Sequence, residues 1–241
     1  MGPVSWVAET GSTNADLLDA AGRGAPHGTV LVADHQTAGR GRRDRRWDAA
    51  PGDALMVSVL LEPTGGPESL ALLTTAVGVA AAEACVASGA DGVGLKWPND
   101  LVVGPAGERR KLAGILAQSL VSPDRVVAVV GLGLNVRGHR LGPLAPGGVA
   151  LDELTTTSDS EHLLVEILRR LDRLVGASPE DLRERYLALS ATVGTVVEVT
   201  TDDGRFSGRA VDVTTAGSLV VEADDGRHEL VVGDVVSVRP A

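Results

Sequence analysis

Residues 93–120 read VGLKWPNDLVVGPAGERRKLAGILAQSL. Short apolar runs alternate here with Pro, Gly, Asn and Asp, the residues that supply turns, so the pattern predicts strands rather than a helix. GPAGERR at 104–110 is the expected hairpin turn between VGLKWPNDLVV (93–103) and KLAGILAQSL (111–120), and RVVAVVGLGLNV at 125–136 reads as the next strand. Upstream, Ser12 and Thr13 precede NADLLDAA, which predicts a helix start with a capping hydroxyl. TVLVAD (29–34) and ALMVSVLL (54–61) read as strands, whereas ESLALLTTAVGVAAAEACVAS (68–88) is long, continuous and alanine-rich, as a buried helix would be. Two helices, EHLLVEILRRLDRLVGA and PEDLRERYLALS, follow the strands. The whole succession is α+β.

From Val193 onward the hydrophobic period changes to two. TVVEVT, RFSGRAVDV, SLVVEA, RHELVV and DVVSVR are separated by DDG, TTAG and DDG, turns that carry Gly or Asp for positive φ. Five short strands on such turns predict a small β-barrel, so the chain divides into residues 1–191 and a C-terminal domain of residues 192–241. That second domain holds nine acidic and four basic side chains, which disfavours nucleic acid as its ligand.

Composition narrows the function further. The 241 residues carry 22 Lys plus Arg against 32 Asp plus Glu, a formal charge of −10, so the broad basic face of a general nucleic-acid binder is not expected. No apolar run reaches the roughly 20 residues of a membrane span, and the N-terminus shows no signal-peptide pattern. A lone cysteine, Cys85, excludes an internal disulfide framework, and the expectation is a cytoplasmic protein. The five histidines, at 27, 35, 139, 162 and 228, show no pair at metal-ligand spacing, so no protein-bound metal is expected.

Against that acidic background, GRGRRDRRW at 39–47 places five arginines and two glycines in nine positions. Gly39 and Gly41 allow backbone amides to approach an anion, and arginine supplies planar, charge-assisted donors for phosphate or carboxylate. Mutual repulsion should keep this segment mobile until an anion orders it. Neither a Walker loop nor a dinucleotide fingerprint is present. All three tryptophans, Trp6, Trp47 and Trp97, fall in or beside the polar stretches, as walls of a ligand pocket or as ordinary packing residues. The glycines of GLGLN at 131–135 point to close packing, against a ligand or between strands.

GSTN (11–14), QTAGRGR (36–42), KWPND (96–100), KLAGIL (111–116) and GLGLN (131–135), in this order and ahead of a small β-domain, resemble the biotin protein ligases over nearly the whole chain. The resemblance implies a catalytic domain like that of class II aminoacyl-tRNA synthetases, a mixed sheet flanked by helices, with an SH3-like C-terminal domain. It also implies a reaction: ATP and biotin form biotinyl-5'-AMP, and the biotinyl group passes to one lysine of the biotin carboxyl carrier domain of an acyl-CoA or pyruvate carboxylase. By the same resemblance, Ser12, Thr13, Asn14 and Gln36 meet the ureido end of biotin, and Arg40, Gly41 and Arg42 close over biotin and the adenylate phosphate. Lys111 lies between the biotin carboxylate and the α-phosphate, and Lys111 and Arg42 are the implied catalytic residues. Trp47, Lys96, Asn99, Asp100 and Asn135 fall on the ATP and adenylate side, and Mg²⁺ arrives on the ATP phosphates. Asp100 is also a candidate base for the acceptor lysine, with a cap or turn role as the alternative. Where the family often has glycine two residues after the second arginine, this chain has Asp44, which tolerates left-handed backbone. Only ten residues precede GSTN, so the expectation is a monofunctional ligase without DNA binding rather than a biotin-sensing repressor. The paired Gly-Arg steps before Trp47 favour biotin over lipoate, and the sequence leaves the oligomeric state open, a homo-oligomer included.

Overall fold

The computed structural model describes residues 1–63, 70–122, 125–201, 204–231 and 235–240. Its elements run β1 (Val4–Thr10), α1 (Thr13–Gly22), β2 (Val30–Gln36), β3 (Ala54–Leu61), α2 (Leu70–Ala87), β4 (Val93–Lys96), β5 (Asp100–Val103), β6 (Arg110–Ser122) and β7 (Arg125–Asn135). A single helical turn, α3 (Leu141–Leu144), and a 3₁₀ turn (Leu151–Glu153) lead to α4 (Ser160–Leu174) and α5 (Pro179–Leu189). Strands β8 (Val196–Thr201), β9 (Arg205–Val213), β10 (Leu219–Ala223), β11 (Gly226–Leu230) and β12 (Val235–Pro240) complete the chain.

The first seven strands form one mixed sheet in the order β1-β2-β3-β7-β6-β5-β4. Only the β1–β2 pair is parallel; the other neighbours are antiparallel. Helices cover both faces, which explains why β3 is buried at all eight positions. Val57, Val59 and Leu61 enter the large core with α2, α4 and α5, whereas Leu60 joins Leu17, Ala21, Val127 and Val129 beneath α1. By length and composition alone α2 could cross a membrane, but its buried residues pack on the sheet and on α4 and α5, the place of a core helix. Gly78 permits that contact: a Cβ there would lie 3.3 Å from both Ile115 and Leu95.

The expected strand over 93–103 is two strands. Trp97, Pro98 and Asn99 turn between β4 and β5, whose register pairs Lys96 with Asp100. Strand β1 is an addition to the sequence reading. All seven of its positions are exposed or half-exposed, so no apolar alternation announces it. Residues 68 and 69, at the start of the expected long helix, lie outside the described residues.

The last five strands form a separate antiparallel sheet ordered β11-β10-β9-β8-β12. Its apolar face, with Val197, Val199, Ala210, Val213, Leu219 and Val221, merges with the core formed by α2 and the seven-stranded sheet.

Candidate active site

The α1 face of the sheet changes character along β7. Val127 and Val129 pack under α1, and two and four residues further on the same face carries Gly131 and Gly133. Their partners on β6 are Leu116 and Gly114. Helix α1 begins at Thr13, so the sheet beyond its N-terminus is uncovered, and small residues there leave a hollow of about 250 Å³.

At the inner end of this cavity lies a network of neutral polar groups. The Thr13 backbone N–H and hydroxyl both donate to Gln36 Oε1, at 2.8 and 3.0 Å. Asn14 Nδ2 donates to the Leu116 carbonyl at 3.1 Å and to Gln118 Oε1 at 3.0 Å. The Ser58 hydroxyl lies 2.7 Å from Thr13 Oγ1 and 2.6 Å from Asn14 Oδ1, and its one proton serves one of them at a time. Ser58 is fully buried and Ser12, Thr13 and Asn14 nearly so. Contrary to the sequence expectation, the Ser12 hydroxyl caps nothing: Ser12 is the N-cap residue of α1 with no side-chain cap bond, and it lines the cavity instead. Gly131 is required by this network, because a Cβ there would overlap the Asn14 amide.

The mouth is cationic. Residues 39–47 fold into a small hairpin, with Arg40 bridged to Arg46 and the Gly41 N–H donating to the Arg45 carbonyl at 2.6 Å. Its turn passes through Arg43 (φ 53°) and Asp44 (φ 57°), both left-handed, and the Arg45 N–H closes it on the Arg42 carbonyl at 3.3 Å. This geometry is that of a tight hairpin turn, one that glycine would adopt without strain. Burial first, then the charges of Arg45 and Arg43, lower the Arg42 pKa from its ordinary value, with Asp100 opposing. Such a guanidinium keeps its proton but gains from a nearby anion.

The hairpin delivers Trp47 over the glycines. A Cβ at Gly133 would lie 2.7 Å from Trp47 Nε1, and one at Gly114 would lie 3.0 Å from Lys111 Nζ. Lys111 Nζ sits 5.8 Å from the Trp47 ring centroid, a cation–π distance, and 2.6 Å from Asp100 Oδ1. The backbone on either side of Lys111 is tied to the segment after α3: its N–H donates to the Gly147 carbonyl at 3.2 Å and its carbonyl accepts from Val149 at 2.9 Å.

Of the residues singled out from sequence, Ser12, Thr13, Asn14, Gln36, Arg40, Gly41, Arg42, Trp47, Asn99, Lys111 and Asn135 all line this one cavity. Asp100 reaches it through its ion pair with Lys111, and Lys96 is not among the lining residues. Asn99 donates one amide proton to the Ile115 carbonyl at 2.8 Å, and the Asn135 amide donates to the Lys111 and Val149 carbonyls at 3.3 and 3.2 Å. Of the tryptophans, only Trp47 walls the pocket. Trp6 is exposed on β1 and donates to Asp34 at 2.7 Å; Trp97 is buried against the C-terminal sheet. Sequence reasoning also missed Ser58 and the wall formed by Leu144, Ala145, Pro146 and Gly148. A lone serine inside the apolar run ALMVSVLL was a usable signal, since a buried hydroxyl needs a partner; LGPLAPGG offered none.

The cavity thus joins a network of neutral polar groups at its inner end to a cationic mouth. The chain belongs to the Biotin/lipoate A/B protein ligase family, whose signature matches residues 9–135, and the Biotin protein ligase C terminal domain matches residues 192–237. It is 36% identical to the biotin--[acetyl-CoA-carboxylase] ligase of Mycobacterium tuberculosis, over 97% of this chain and 88% of that protein. It is 30% identical to the bifunctional ligase/repressor BirA of Escherichia coli, over 100% of this chain and 75% of that protein. Among solved structures, the biotin protein ligase from Aquifex aeolicus in complex with biotin and ATP matches with a TM-score of 0.84 and 26% identity over the whole of both chains.

Proposed function

We propose that this chain is an ATP-dependent ligase that activates biotin as biotinyl-5'-AMP and transfers biotin to a lysine of a biotin carboxyl carrier protein. One observation carries the reading: Thr13, Asn14 and Gln36, backed by Ser58, and the cationic group of Lys111 and Arg42 line a single cavity. Biotin has that sequence of parts, a neutral ureido ring that both donates and accepts, an aliphatic body, and a carboxylate.

With the ring on the network, the bicycle and chain lie against Val57, Leu132 and the glycines, and the carboxylate reaches Lys111. Its oxygen attacks the α-phosphorus of ATP, an O–P bond forms, and pyrophosphate leaves. Carboxylate and triphosphate repel each other, so the reaction needs positive charge fixed where they meet, which Lys111 and Arg42 supply. Positioning and electrostatics account for this step. In the second step a neutral carrier lysine attacks the acyl carbon, AMP departs, and the amine loses a proton. Asp100, 2.6 Å from Lys111, is the carboxylate at hand to receive it once Lys111 has turned to the phosphate. Among the described residues no three His, Cys, Asp or Glu side chains come together as a metal site. In this reading magnesium arrives on the ATP phosphates, where it would offset their charge. Lys96, Asn99 and Asn135 belong to the nucleotide side of this reading, and the cytoplasm is the compartment that supplies ATP and the carboxylase acceptor.

The test is incubation with biotin, ATP, Mg²⁺ and a carrier domain, read by mass spectrometry of the carrier, with lipoate replacing biotin in a parallel reaction. A gain of one biotinyl group is expected. No gain with biotin, or a lipoyl gain instead, would overturn the reading.

A further inference from the structure

The three residues of the β4–β5 turn and Asp100, which follows them, connect the C-terminal sheet to Lys111. On one side, Trp97 is buried to 3% exposure, and its indole Nε1 donates to the Gly217 carbonyl at 3.0 Å. Its backbone N–H donates to Thr192 Oγ1 at 2.9 Å, and Thr192 is itself buried. On the other side, Asn99 is locked to β6 by a reciprocal pair: its side-chain amide donates to the Ile115 carbonyl at 2.8 Å, and the Ile115 N–H donates to the Asn99 carbonyl at 2.9 Å. The next residue, Asp100, holds Lys111 Nζ at 2.6 Å.

The acceptor end of this chain of contacts is fixed. Gly217 sits at φ +84° in the β9–β10 turn, where its N–H donates to the Thr214 carbonyl at 2.9 Å. A Cβ on Gly217 would stand 3.3 Å from Ala71 of α2, so the turn is pressed against the catalytic part. Nearby, the Ala191 N–H donates to the Leu95 carbonyl at 2.8 Å, and a Cβ on Gly94 would lie 3.1 Å from that of Ala191. The turn is thus clamped from both sides, at Trp97 by bonds between buried groups, which are costly to leave unmade, and at Asn99 by a part-buried pair.

We propose that the C-terminal sheet sets the position of Lys111 through Trp97, which makes Trp97 a positioning residue for the ligation; the inference rests on the activity proposed above. If Trp97 only filled space, weakening its bonds would lower stability and leave turnover of the folded enzyme unchanged. If it positions the turn, the same change displaces Asp100 and with it the Lys111 ammonium, and a small displacement of a charge aimed at the reacting phosphate slows the chemical step.

The experiment measures biotinyl-AMP formation by the full chain, with kcat and the biotin KM separated, for Trp97→Phe, Thr192→Val and Thr192→Ser. Trp97→Phe removes the indole donor and keeps a ring; Thr192→Val is isosteric and removes the acceptor; Thr192→Ser keeps it. The expected result is kcat lowered about 5- to 20-fold by the first two, with KM within about twofold, and near-parent turnover for Thr192→Ser. In an Asp100→Asn background Trp97→Phe should change kcat by less than about twofold, since contacts acting through one partner are not additive. Folded variants with parent kcat, or the same loss in the Asp100→Asn background, overturn the coupling. Should Trp97→Phe fail to fold, the Thr192 pair decides alone. A parent chain that forms no biotinyl-AMP overturns the ligase reading itself, an outcome distinct from unchanged variants of an active parent.

Discussion

The two ends of the cavity are built on opposite plans. At the inner end, Thr13, Asn14, Gln36 and Ser58 hold one another from three different elements, through bonds of 2.6–3.0 Å. At the mouth, residues 39–47 are held by backbone bonds such as Trp47 N–H to the Gly39 carbonyl at 3.0 Å, and the turn runs through two L-residues at positive φ. A neutral head group has to be matched in shape and hydrogen bonding, so its site is fixed before it arrives. In the proposed reaction anions must enter, react and leave, a task suited to a surface hairpin held by backbone bonds.

The cationic end should give the largest effect. Lys111→Ala leaves the fold intact, because its ammonium is partly exposed, yet adenylate formation falls by about 10² to 10³. Pyrophosphate release from biotin and ATP measures this, and turnover within threefold of the parent would place the catalytic charge elsewhere.

The inner end should respond in binding. Ser58→Ala takes the shared donor from Thr13 and Asn14 at a fully buried position, which costs about 1–3 kcal/mol. Biotin titration calorimetry should show affinity about tenfold weaker, with ATP affinity nearly unchanged. An equal loss for both ligands would break the division of the cavity into two ends.

Between the ends, the wall segment after β7 is anchored by Asp53, whose carboxylate takes Arg140 at 2.6 and 2.7 Å. The Arg140 hydrogen bond holds the Asp53 pKa below its ordinary value, against the opposing effect of burial, with His139 and Arg137 adding smaller attractions. A lowered folded pKa means that the stabilisation is complete above the unfolded carboxylate pKa, near 3.9, and fades as pH falls through the folded value. Asp53→Asn should therefore lower the thermal midpoint by about 2–6 °C at neutral pH, with the gap to the parent shrinking below about pH 4. A gap that stays constant to pH 2 would show that the Asp53 charge is not what anchors the wall.

The smallest effect belongs to the hairpin turn. Asp44→Gly relieves a left-handed L-residue, about 1 kcal/mol in favour of the closed turn, partly offset by the entropy glycine loses on ordering. Biotinyl-AMP should dissociate about two- to fivefold more slowly, measured by release of labelled adenylate. A faster release would mean that the turn does not limit opening.

Much of the fold was legible because local rules and the tertiary answer coincide. ALMVSVLL is apolar at every position but Ser58 and buried on both faces; the C-terminal segments alternate, and five antiparallel strands form there. Strand β1 was not legible, since an edge strand exposed at most positions needs no apolar alternation. Most residues of the candidate site were legible through motifs, because residues that carry chemistry keep their type and spacing. Ser58 was missed: a lone serine in an apolar run signals a buried hydroxyl in need of a partner, but no local rule names Thr13 and Asn14 as that partner.

The chain by itself thus determined the type of most elements and the set of polar residues from which a site could be made. Only the tertiary structure decided which of them meet. Asn14 and Gln118 lie 104 positions apart, and Trp97 and Gly217 lie 120 apart. It also assigned the three tryptophans to three different tasks and set Asp100 against Lys111. The physical reason is range: propensity and periodicity act within a turn or a strand, whereas a side chain's partner is chosen by the register and packing of elements that the sequence keeps far apart.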